Sequence, residues 1–330
     1  MTGTAQQGRI FKNNIFHFLA TALLALSLLF AQTGFAAEKN KFPAKPIKVI
    51  VPAGAGGSLA QEARTIAPFL EKQLGVPVVL EYITGADGML AYNKFNREKP
   101  DGYSILHFNL PSAIALEFTR EKVDYSVKNF TPLAIDNVKT FSLVTHPDRW
   151  KNLEEFLQEA KQKKLSLGTT GGAGDLQIRL FESGAGIKFN WVPYISAGES
   201  IAAVAGKHID AMVGFAIVPR PMIMAGKLKA LALFSDKPNP ILPGAPDFKS
   251  LGHTEVPLLL VYGMFAAPPN TPPGISAILE RAIKNACADP GFIKVAKETG
   301  LDIDYKPASE VATLRTRNYE LLTKYKQFLK

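Results

Sequence analysis

Residues 47–70, IKVIVPAGAGGSLAQEARTIAPFL, constrain the fold of this chain more than any other segment. A buried apolar strand runs into a glycine loop, and the loop runs into a helix whose Ala63, Ile66 and Leu70 share one face. Consecutive glycines let backbone N–H groups converge on one point, and the positive end of the helix adds to the attraction for an anion. The segment therefore predicts an α/β protein with an anion-binding loop.

Strands and helices keep alternating after this segment, and a second glycine loop lies in the second half of the chain. The loop TTGGAGD at 169–175 follows the apolar strand LSLG and precedes another helix. Strands separated by helices imply right-handed crossovers and a parallel sheet with helices on both faces. Ligands bind such sheets outside the carboxyl ends of the strands, so two facing glycine loops predict the cleft of a clamshell binding protein.

The first 36 residues have the layout of a cleavable signal peptide. Arg9 and Lys12 precede the apolar run FLATALLALSLLF, and small residues follow it, which places cleavage after Ala36. An uncleaved membrane anchor is the alternative, but the run is shorter than the roughly 20 residues that a membrane-spanning helix needs. We expect the mature protein, residues 37–330, to lie in the periplasm.

Basic residues are spread along the chain and do not form a nucleic-acid-binding face. Loss of Arg9 and Lys12 with the signal peptide lowers the net charge from +9 to +7. Nucleic-acid surfaces interleave basic and aromatic residues along one face, a pattern that this sequence lacks, whereas a positive field suits an anionic solute. The single cysteine, Cys287, lies in a helical pattern and is predicted to be a small core residue.

The first glycine loop does not match a nucleotide-binding motif. A Walker A loop needs a lysine after its glycines, but Ser58 and Leu59 follow Gly57. A dinucleotide fingerprint needs a third glycine where Leu59 stands, although Glu81 occupies the position of a ribose-binding acid. A tight turn without a ligand remains the alternative for this loop alone, and the second loop favours ligand binding. We expect no cofactor.

The mature chain offers no pattern for catalysis or metal binding. None of its four histidines has metal-ligand spacing to another, and no G-x-S-x-G elbow is present. His107 lies at a strand end near the predicted cleft, where a structural role is favoured over a ligand contact. Arg64 and Arg179 follow the two glycine loops, and a solvated helix face is favoured over a bidentate clamp on a second carboxylate. The sequence therefore predicts neither an enzyme nor a metal site.

Five motifs, in order and with matching spacing, resemble those of a known receptor family. They are KPDGYSIL at 99–106, YSVKNFTPLA at 125–134, WVPYISAGESIAAVAGKHIDAM at 191–212, MAGKLKALAL at 224–233 and VYGMFAAPPNTPPGI at 261–275. The family is that of the extracytoplasmic solute receptors of the tripartite tricarboxylate transporter system, the Bug receptors. The resemblance extends over essentially the whole mature chain.

This resemblance implies a two-domain periplasmic binding protein of the Venus-flytrap, type II-like kind, with two crossover hinge strands. Domain 1 would comprise residues 38–137 plus 262–330, and domain 2 residues 138–261. The implied ligand is a small di- or tricarboxylate or aromatic acid, which closure presents to the membrane subunits of the transporter. We expect a monomer that binds no nucleic acid. A ligand-sensing receptor in a signalling system and a secreted α/β enzyme on the same scaffold are the alternatives.

The resemblance also implies which residues bind the ligand, mostly through backbone N–H groups. The loop after the first strand supplies Ala53, Gly54, Ala55, Gly56, Gly57 and Ser58. Two further loops of domain 1 supply Gly85, Ala86, Asp87, Asn109 and Ser112. Domain 2 supplies Thr169, Thr170, Gly171, Gly172 and Asp175. Ser58 is also expected to cap the helix that follows it.

Several positions depart from the pattern of the family. Ala53 stands where members often carry an aromatic residue, and Ala60 stands where an aspartate is common, which argues against an amino-acid ligand. Asp87 replaces a glycine, and Asp175 stands where histidine is frequent. Acids beside a carboxylate pocket are electrostatically unfavourable. Either they face solvent, or they contact the ligand through water, a hydroxyl or an amine.

Overall fold

The structure, a computed structural model, describes residues 42–170 and 172–329. The predicted signal peptide and the predicted ligand contact Gly171 lie outside the described residues. Residues 45–330 form one compact unit. Within the described ranges, no helix combines the length and the apolar composition needed to cross a bilayer.

Two β-sheets organise the chain, and the first has six strands. Its strands are β1 Ile47–Val51, β2 Val78–Tyr82, β3 Ser104–Asn109, β4 Thr131–Lys139, β10 Val261–Ala267 and β11 Ile303–Pro307. They lie side by side in the order β11-β4-β10-β3-β1-β2. β1 runs parallel to β2 and β3, whereas β10 runs antiparallel to β3 and β4.

The second sheet has five strands. They are β5 Phe141–Thr145, β6 Ser166–Thr169, β7 Asn190–Pro193, β8 Ala211–Phe215 and β9 Lys229–Leu233. Their order is β7-β6-β8-β5-β9, with β6 parallel to its neighbours and β5 antiparallel to both of its own. The expectation of parallel sheets is therefore wrong at β5, β10 and β11, the last of which pairs antiparallel with β4. β5 and β10 each enter a sheet directly from the other one, without the helical crossover that a parallel connection needs.

Ten α-helices lie in the described residues, and they cover the two sheets. They are α1 Ser58–Leu74, α2 Met89–Phe95, α3 Leu110–Thr119, α4 Leu153–Gln162, α5 Ala173–Ala185, α6 Ala197–Ala205, α7 Arg220–Met224, α8 Pro273–Cys287, α9 Pro290–Thr299 and α10 Ala308–Lys324. We name the six-stranded sheet with α1–α3 and α8–α10 the first lobe. The five-stranded sheet with α4–α7 is the second lobe.

The chain passes between the lobes at two places. It leaves the first sheet at Lys139, the end of β4, and enters the second at Phe141, the start of β5. It returns after β9 through an irregular segment that ends at Val261, the start of β10. The predicted domain boundaries at 137/138 and 261/262 lie at these passages and stay predictions.

Local signals explain the helices that flank the glycine loops. α1 buries Leu59, Ala63, Ile66 and Leu70, continues through Pro68, and is followed by Gly75 at its C-cap. The backbone of Gly75 is left-handed, with φ 70°, and its N–H donates to the carbonyl of Glu71. The helix α1 therefore begins directly after the first glycine loop, and Gly75 terminates it.

Large aromatic side chains fill the core of each lobe. Phe95, Phe108 and Phe130 are buried in the first lobe, where their rings pack edge to face. In the second lobe, the ring of Phe181 packs edge to face on the rings of Phe234 and Phe248, which stack on each other. Cys287 is buried in α8, and burial raises the pKa of its thiol. The prediction that this cysteine is a core residue is confirmed.

Candidate functional site

Both glycine loops lie where a parallel strand ends and a helix begins. The first loop, 52–57, joins β1 to α1, and the second loop, 170–172, joins β6 to α5. Gly54, Ala55 and Gly56 are exposed, as are Thr170 and Gly172. In α/β sheets this is the edge at which ligands bind.

The first loop has a β-turn whose outer N–H groups are unused. The N–H of Ala53 donates to Val51 O at 2.8 Å, and the N–H of Gly57 donates to Gly54 O at 2.9 Å. Among residues 42–170 and 172–329, no acceptor faces the N–H groups of the residues between them, Gly54, Ala55 and Gly56. These exposed donors are available to an anion.

Two features of this loop differ from the expectations. Gly57 occupies the N-cap position of α1 and Ser58 is the first helical residue, so the expectation that Ser58 caps the helix is wrong. Arg64 does not point freely into solvent. Its Nη1 donates to Ala55 O at 2.5 Å and lies 3.4 Å from the hydroxyl of Tyr82. The Arg64 side chain on α1 therefore anchors the first glycine loop through the carbonyl of Ala55.

The loop at 85–88 packs against the first glycine loop. Gly85, Ala86, Asp87 and Gly88 all have positive φ angles, of 114°, 48°, 57° and 96°. A Cβ atom on Gly88 would lie 3.0 Å from Pro52 Cβ and 3.1 Å from Pro52 O. Glycine at this position is therefore required both by backbone conformation and by the close approach of the two loops.

An arginine neutralises one of the two unexpected acids. The carboxylate of Asp87 accepts a hydrogen bond from Nη2 of Arg120, the residue that ends α3. This ion pair lowers the electrostatic conflict between Asp87 and an anionic ligand. Asp175 lies in the first turn of α5, where the helix dipole favours a negative charge, and its carboxylate accepts a hydrogen bond from the hydroxyl of Thr169.

A buried ion pair lies beside the predicted contact Asn109. The Oδ1 atom of Asn109 accepts a hydrogen bond of 2.6 Å from Lys139 Nζ. Lys139 Nζ also lies 2.9 Å from the carboxylate of Glu62 on α1. Asn109 is thus oriented by Lys139, which ends the strand at which the chain leaves the first lobe. The sequence analysis missed this pair because nothing local to either residue indicates the other.

Two cavities lie between the lobes. The larger, of about 560 Å³, lies between α3 and α5 and is bordered by four of the predicted contacts, Asp87, Ser112, Gly172 and Asp175. The smaller, of about 260 Å³, is bordered by Ser58 together with Lys139. The other described contacts border neither cavity: Ala53, Gly54, Ala55, Gly56, Gly57, Gly85, Ala86, Asn109, Thr169 and Thr170.

His107 is a core residue of the first lobe. It is fully buried, its ring stacks on Phe265 with 4.4 Å between centroids, and its Nε2 lies 3.2 Å from Asp136 Oδ1. Burial alone would raise the pKa of the Asp136 carboxyl, but His107 and the amide of Asn137 hold it below its usual value. This histidine supports the sheet. No cluster of three or more histidine, cysteine or acidic side chains suited to a metal lies in the part of the chain that the structure describes.

The molecule is a two-lobed α/β protein in which each glycine loop joins the end of a parallel strand to the start of a helix. The sequence profile of the tripartite tricarboxylate transporter family receptors matches residues 62–322. The chain belongs to this receptor family. Members of the family are periplasmic solute-binding receptors, and membership confirms the prediction that the protein is not an enzyme.

Relatives of this receptor align over most of its length. The UPF0065 protein in the gbd 5′ region of Cupriavidus necator is 31% identical over 281 residues, which cover 83% of each chain. BugT of Bordetella pertussis is 28% identical over 291 residues, which cover 85% of this receptor and 89% of BugT. The resemblance to the Bug receptors is therefore confirmed.

Solved structures show the same fold. A TctC solute-binding protein from Polaromonas superposes with a TM-score of 0.76 at 24% identity, covering 87% of this receptor and 99% of that chain. MatC from Rhodopseudomonas palustris, solved with bound malate, superposes with a TM-score of 0.70 at 23% identity. The match covers 88% of this receptor and 100% of MatC. The predicted fold of a two-domain periplasmic binding protein is confirmed.

Proposed function

We propose that this receptor captures a small organic carboxylate between its lobes and delivers it to the membrane subunits of a tripartite tricarboxylate transporter. The row of exposed N–H groups at Gly54, Ala55 and Gly56 carries the proposal, because the described part of the protein offers these donors no acceptor. Backbone N–H groups beside a helix N-terminus bind carboxylates well. The malate bound by MatC supports this class of ligand.

Ligand capture in this proposal uses both lobes. The first loop and the loop at 85–88 supply donors from the first lobe, and the second loop supplies donors from the second lobe. A ligand that contacts both lobes stabilises the closed form over the open form. The two domains, 38–137 plus 262–330 and 138–261, then close about the two passages of the chain.

The proposal includes export of the protein. Residues 1–36 carry the basic, apolar and small-residue segments of a cleavable signal peptide, and the family works in the periplasm. Cleavage after Ala36 leaves a mature receptor of residues 37–330. This receptor acts as a monomer.

Thermal unfolding of the mature receptor, with and without candidate ligands, tests the proposal. The panel contains di- and tricarboxylates, aromatic acids and acidic amino acids. A ligand at 100 times its Kd adds about 2.7 kcal/mol to the free energy of unfolding, which raises Tm by at least a few degrees. We expect one carboxylate class to give this shift. A flat response across the panel would show that the ligand is not a carboxylate.

A matched pair of variants tests the first loop directly. Ala55 occupies the second position of the β-turn closed by Gly57 and Gly54, where proline is favoured. Ala55→Pro therefore deletes one free N–H while fitting the turn, and Ala55→Ser keeps that N–H. We expect Ala55→Pro to weaken carboxylate binding about tenfold, the value of about one hydrogen bond to a charged group, and Ala55→Ser to bind nearly as the wild type. Equal affinities would exclude the Ala55 N–H from the site.

A further inference from the structure

Arg179 lies on the face of α5 that borders the cavity between α3 and α5. Gly172 at the start of the helix, Asp175 and Arg179 all line this cavity. Residues spaced by three, four and seven positions share one face of a helix, and a separation of seven positions along a helix corresponds to a rise of about 10 Å. Arg179 thus lies about two helical turns along α5 from the second glycine loop.

The guanidinium group of Arg179 packs on an aromatic ring. Within residues 42–170 and 172–329 it makes no hydrogen bond or ion pair, and its Cζ lies 4.8 Å from the centroid of the Trp191 ring. Trp191 is itself fixed, because its Nε1 donates to Glu182 Oε1 at 3.0 Å. Stacking on an aromatic ring orients a guanidinium while leaving its N–H donors free.

Arg120, on the opposite wall of this cavity, forms an ion pair within the protein. Its guanidinium is paired with the carboxylate of Asp87. A ligand that binds Arg120 must compete with this internal partner, whereas a ligand that binds Arg179 displaces no protein acceptor. Arg179 is therefore the better placed of the two cations to bind an anionic group.

The wall between the second glycine loop and Arg179 is largely apolar. Side chains from four separate segments border it, namely Pro111, Leu116, Leu176, Leu259 and Phe328. A volume of about 560 Å³ is within the range of sites that enclose small organic ligands. Such a wall favours a hydrocarbon or aromatic body over a hydroxylated one.

We propose that Arg179 binds the second anionic group of an elongated dicarboxylate whose apolar body fills this cavity. The first carboxylate lies at the N-terminus of α5, and several methylene groups or an aromatic ring separate it from the second. The arginine side chain leans towards the start of its helix, which brings its planar fork into reach of the second carboxylate. The proposal rests on the proposed function, in which the second glycine loop supplies donors from the second lobe, and it names the ligand class for that part of the site.

Calorimetric titration with matched acids tests this role. The probes are octanedioate against octanoate, and terephthalate against benzoate, so that each pair differs only in the second carboxylate. We expect the wild type to bind each diacid at least tenfold more tightly than its monoacid. We expect Arg179→Gln to lose 10- to 100-fold in affinity for the diacids and to keep its affinity for the monoacids. Retained monoacid binding also shows that the variant is folded.

Further outcomes separate this proposal from the proposed function. Arg179→Lys keeps the charge without the planar fork, and we expect it to retain part of the preference for diacids. A wild type that binds carboxylates without preferring diacids would overturn the role of Arg179 and leave the receptor function standing. Equal losses for both acids in Arg179→Gln, or no loss at all, would also overturn it. A wild type that binds none of these four acids would overturn the role of Arg179, and one that also binds no acid of the thermal-unfolding panel would overturn both proposals.

Discussion

Lys139 Nζ lies 2.9 Å from the carboxylate of Glu62, and both side chains are almost completely buried, with exposed fractions of 8% and 10%. Glu62 lies in the first turns of α1, directly behind the first glycine loop, and Lys139 is the last residue of β4. The pair therefore links the helix that carries the loop to the strand at which the chain leaves the first lobe. Lys139 also positions Asn109.

Removing one partner of this pair should destabilise the receptor strongly. Glu62→Leu or Lys139→Met leaves a buried charge without its counterion, and we expect either change to lower the free energy of unfolding by about 3–5 kcal/mol. The double variant Glu62→Leu/Lys139→Met should recover most of this loss, because an apolar pair avoids the desolvation of both charges. Urea unfolding of the three variants measures the coupling.

The exposed pair between Arg97 and Asp124 provides the control. Its side chains are 70% and 54% exposed, so we expect Arg97→Met to change the free energy of unfolding by less than about 1 kcal/mol. If Glu62→Leu or Lys139→Met lowered the free energy of unfolding no more than Arg97→Met does, the assigned role of Lys139 and Glu62 would be contradicted.

Arg64 should affect ligand affinity more than stability. Its guanidinium holds the carbonyl of Ala55 from an exposed position on α1. We expect Arg64→Gln to weaken carboxylate binding about fivefold, or about 1 kcal/mol, because the loop must then be ordered by the ligand. Tm without ligand should change little. Titration of this variant beside Arg97→Met, which lies away from the loops, checks the prediction, and an unchanged Kd would contradict it.

Features that depend on neighbouring residues could be predicted from the sequence. The strand, glycine loop and helix at 47–74 follow from apolar periodicity and glycine spacing. The spacing of Asn152 and Glu155 predicts a capped helix start at α4, and the side chain of Asn152 accepts a hydrogen bond from the Glu155 N–H at 3.0 Å. Such contacts join residues a few positions apart, so the local sequence is enough to predict them.

Features that depend on distant residues could not be predicted in this way. Residues 110–119 form α3 although their apolar side chains do not follow a helical period, because packing on several sides replaces one buried face. Residues 303–307 are half-buried and mostly polar, and they become β11 only by pairing with β4. Arg179 was predicted to be a solvated residue, since its own helix does not show that Trp191 and the cavity wall of the other lobe lie beside it.

Asp302 should make stability fall as the pH rises. Burial raises the pKa of this carboxyl to about 6, repulsion from Asp304 adds to the rise, and Lys237 and the amide of Asn239 oppose it. The same amide donates 3.1 Å hydrogen bonds to Asp302 Oδ2 and to Thr140 Oγ1, between β4 and β5. The folded state thus binds the proton more tightly than the unfolded chain, whose aspartates have a pKa near 3.9. The contribution of the protonated Asp302 carboxyl to the free energy of unfolding is complete below about pH 4 and is lost as the pH rises through about 6.

Asp302→Asn removes this ionisation and keeps an acceptor for Asn239. After allowance for partial solvent exposure, we expect the variant to be about 1 kcal/mol more stable than the wild type at pH 7.5 and to lose this advantage at pH 4. Urea unfolding at both pH values tests the sign. Asp148→Asn is the control, because Lys207 lowers the pKa of the exposed Asp148 carboxyl and its loss should bring no gain at pH 7.5. A gain of equal size at both pH values would mean that ionisation of Asp302 is not the cause.

The contact between Gly88 and Pro52 should couple the two loops of the first lobe. Gly88 has a φ of 96°, and an added Cβ atom would lie 3.0 Å from Pro52 Cβ. Gly75 also has a positive φ, of 70°, but no atom lies within 4 Å of its Cβ position. Gly75→Ala should therefore lower the free energy of unfolding by about 1 kcal/mol, through the positive φ angle alone. Gly88→Ala should destabilise the receptor by at least about 1 kcal/mol more, and should also weaken carboxylate binding, because the first glycine loop must shift. If urea unfolding and titration show equal effects for the two variants, the approach of Gly88 to Pro52 does not hold the loop in place.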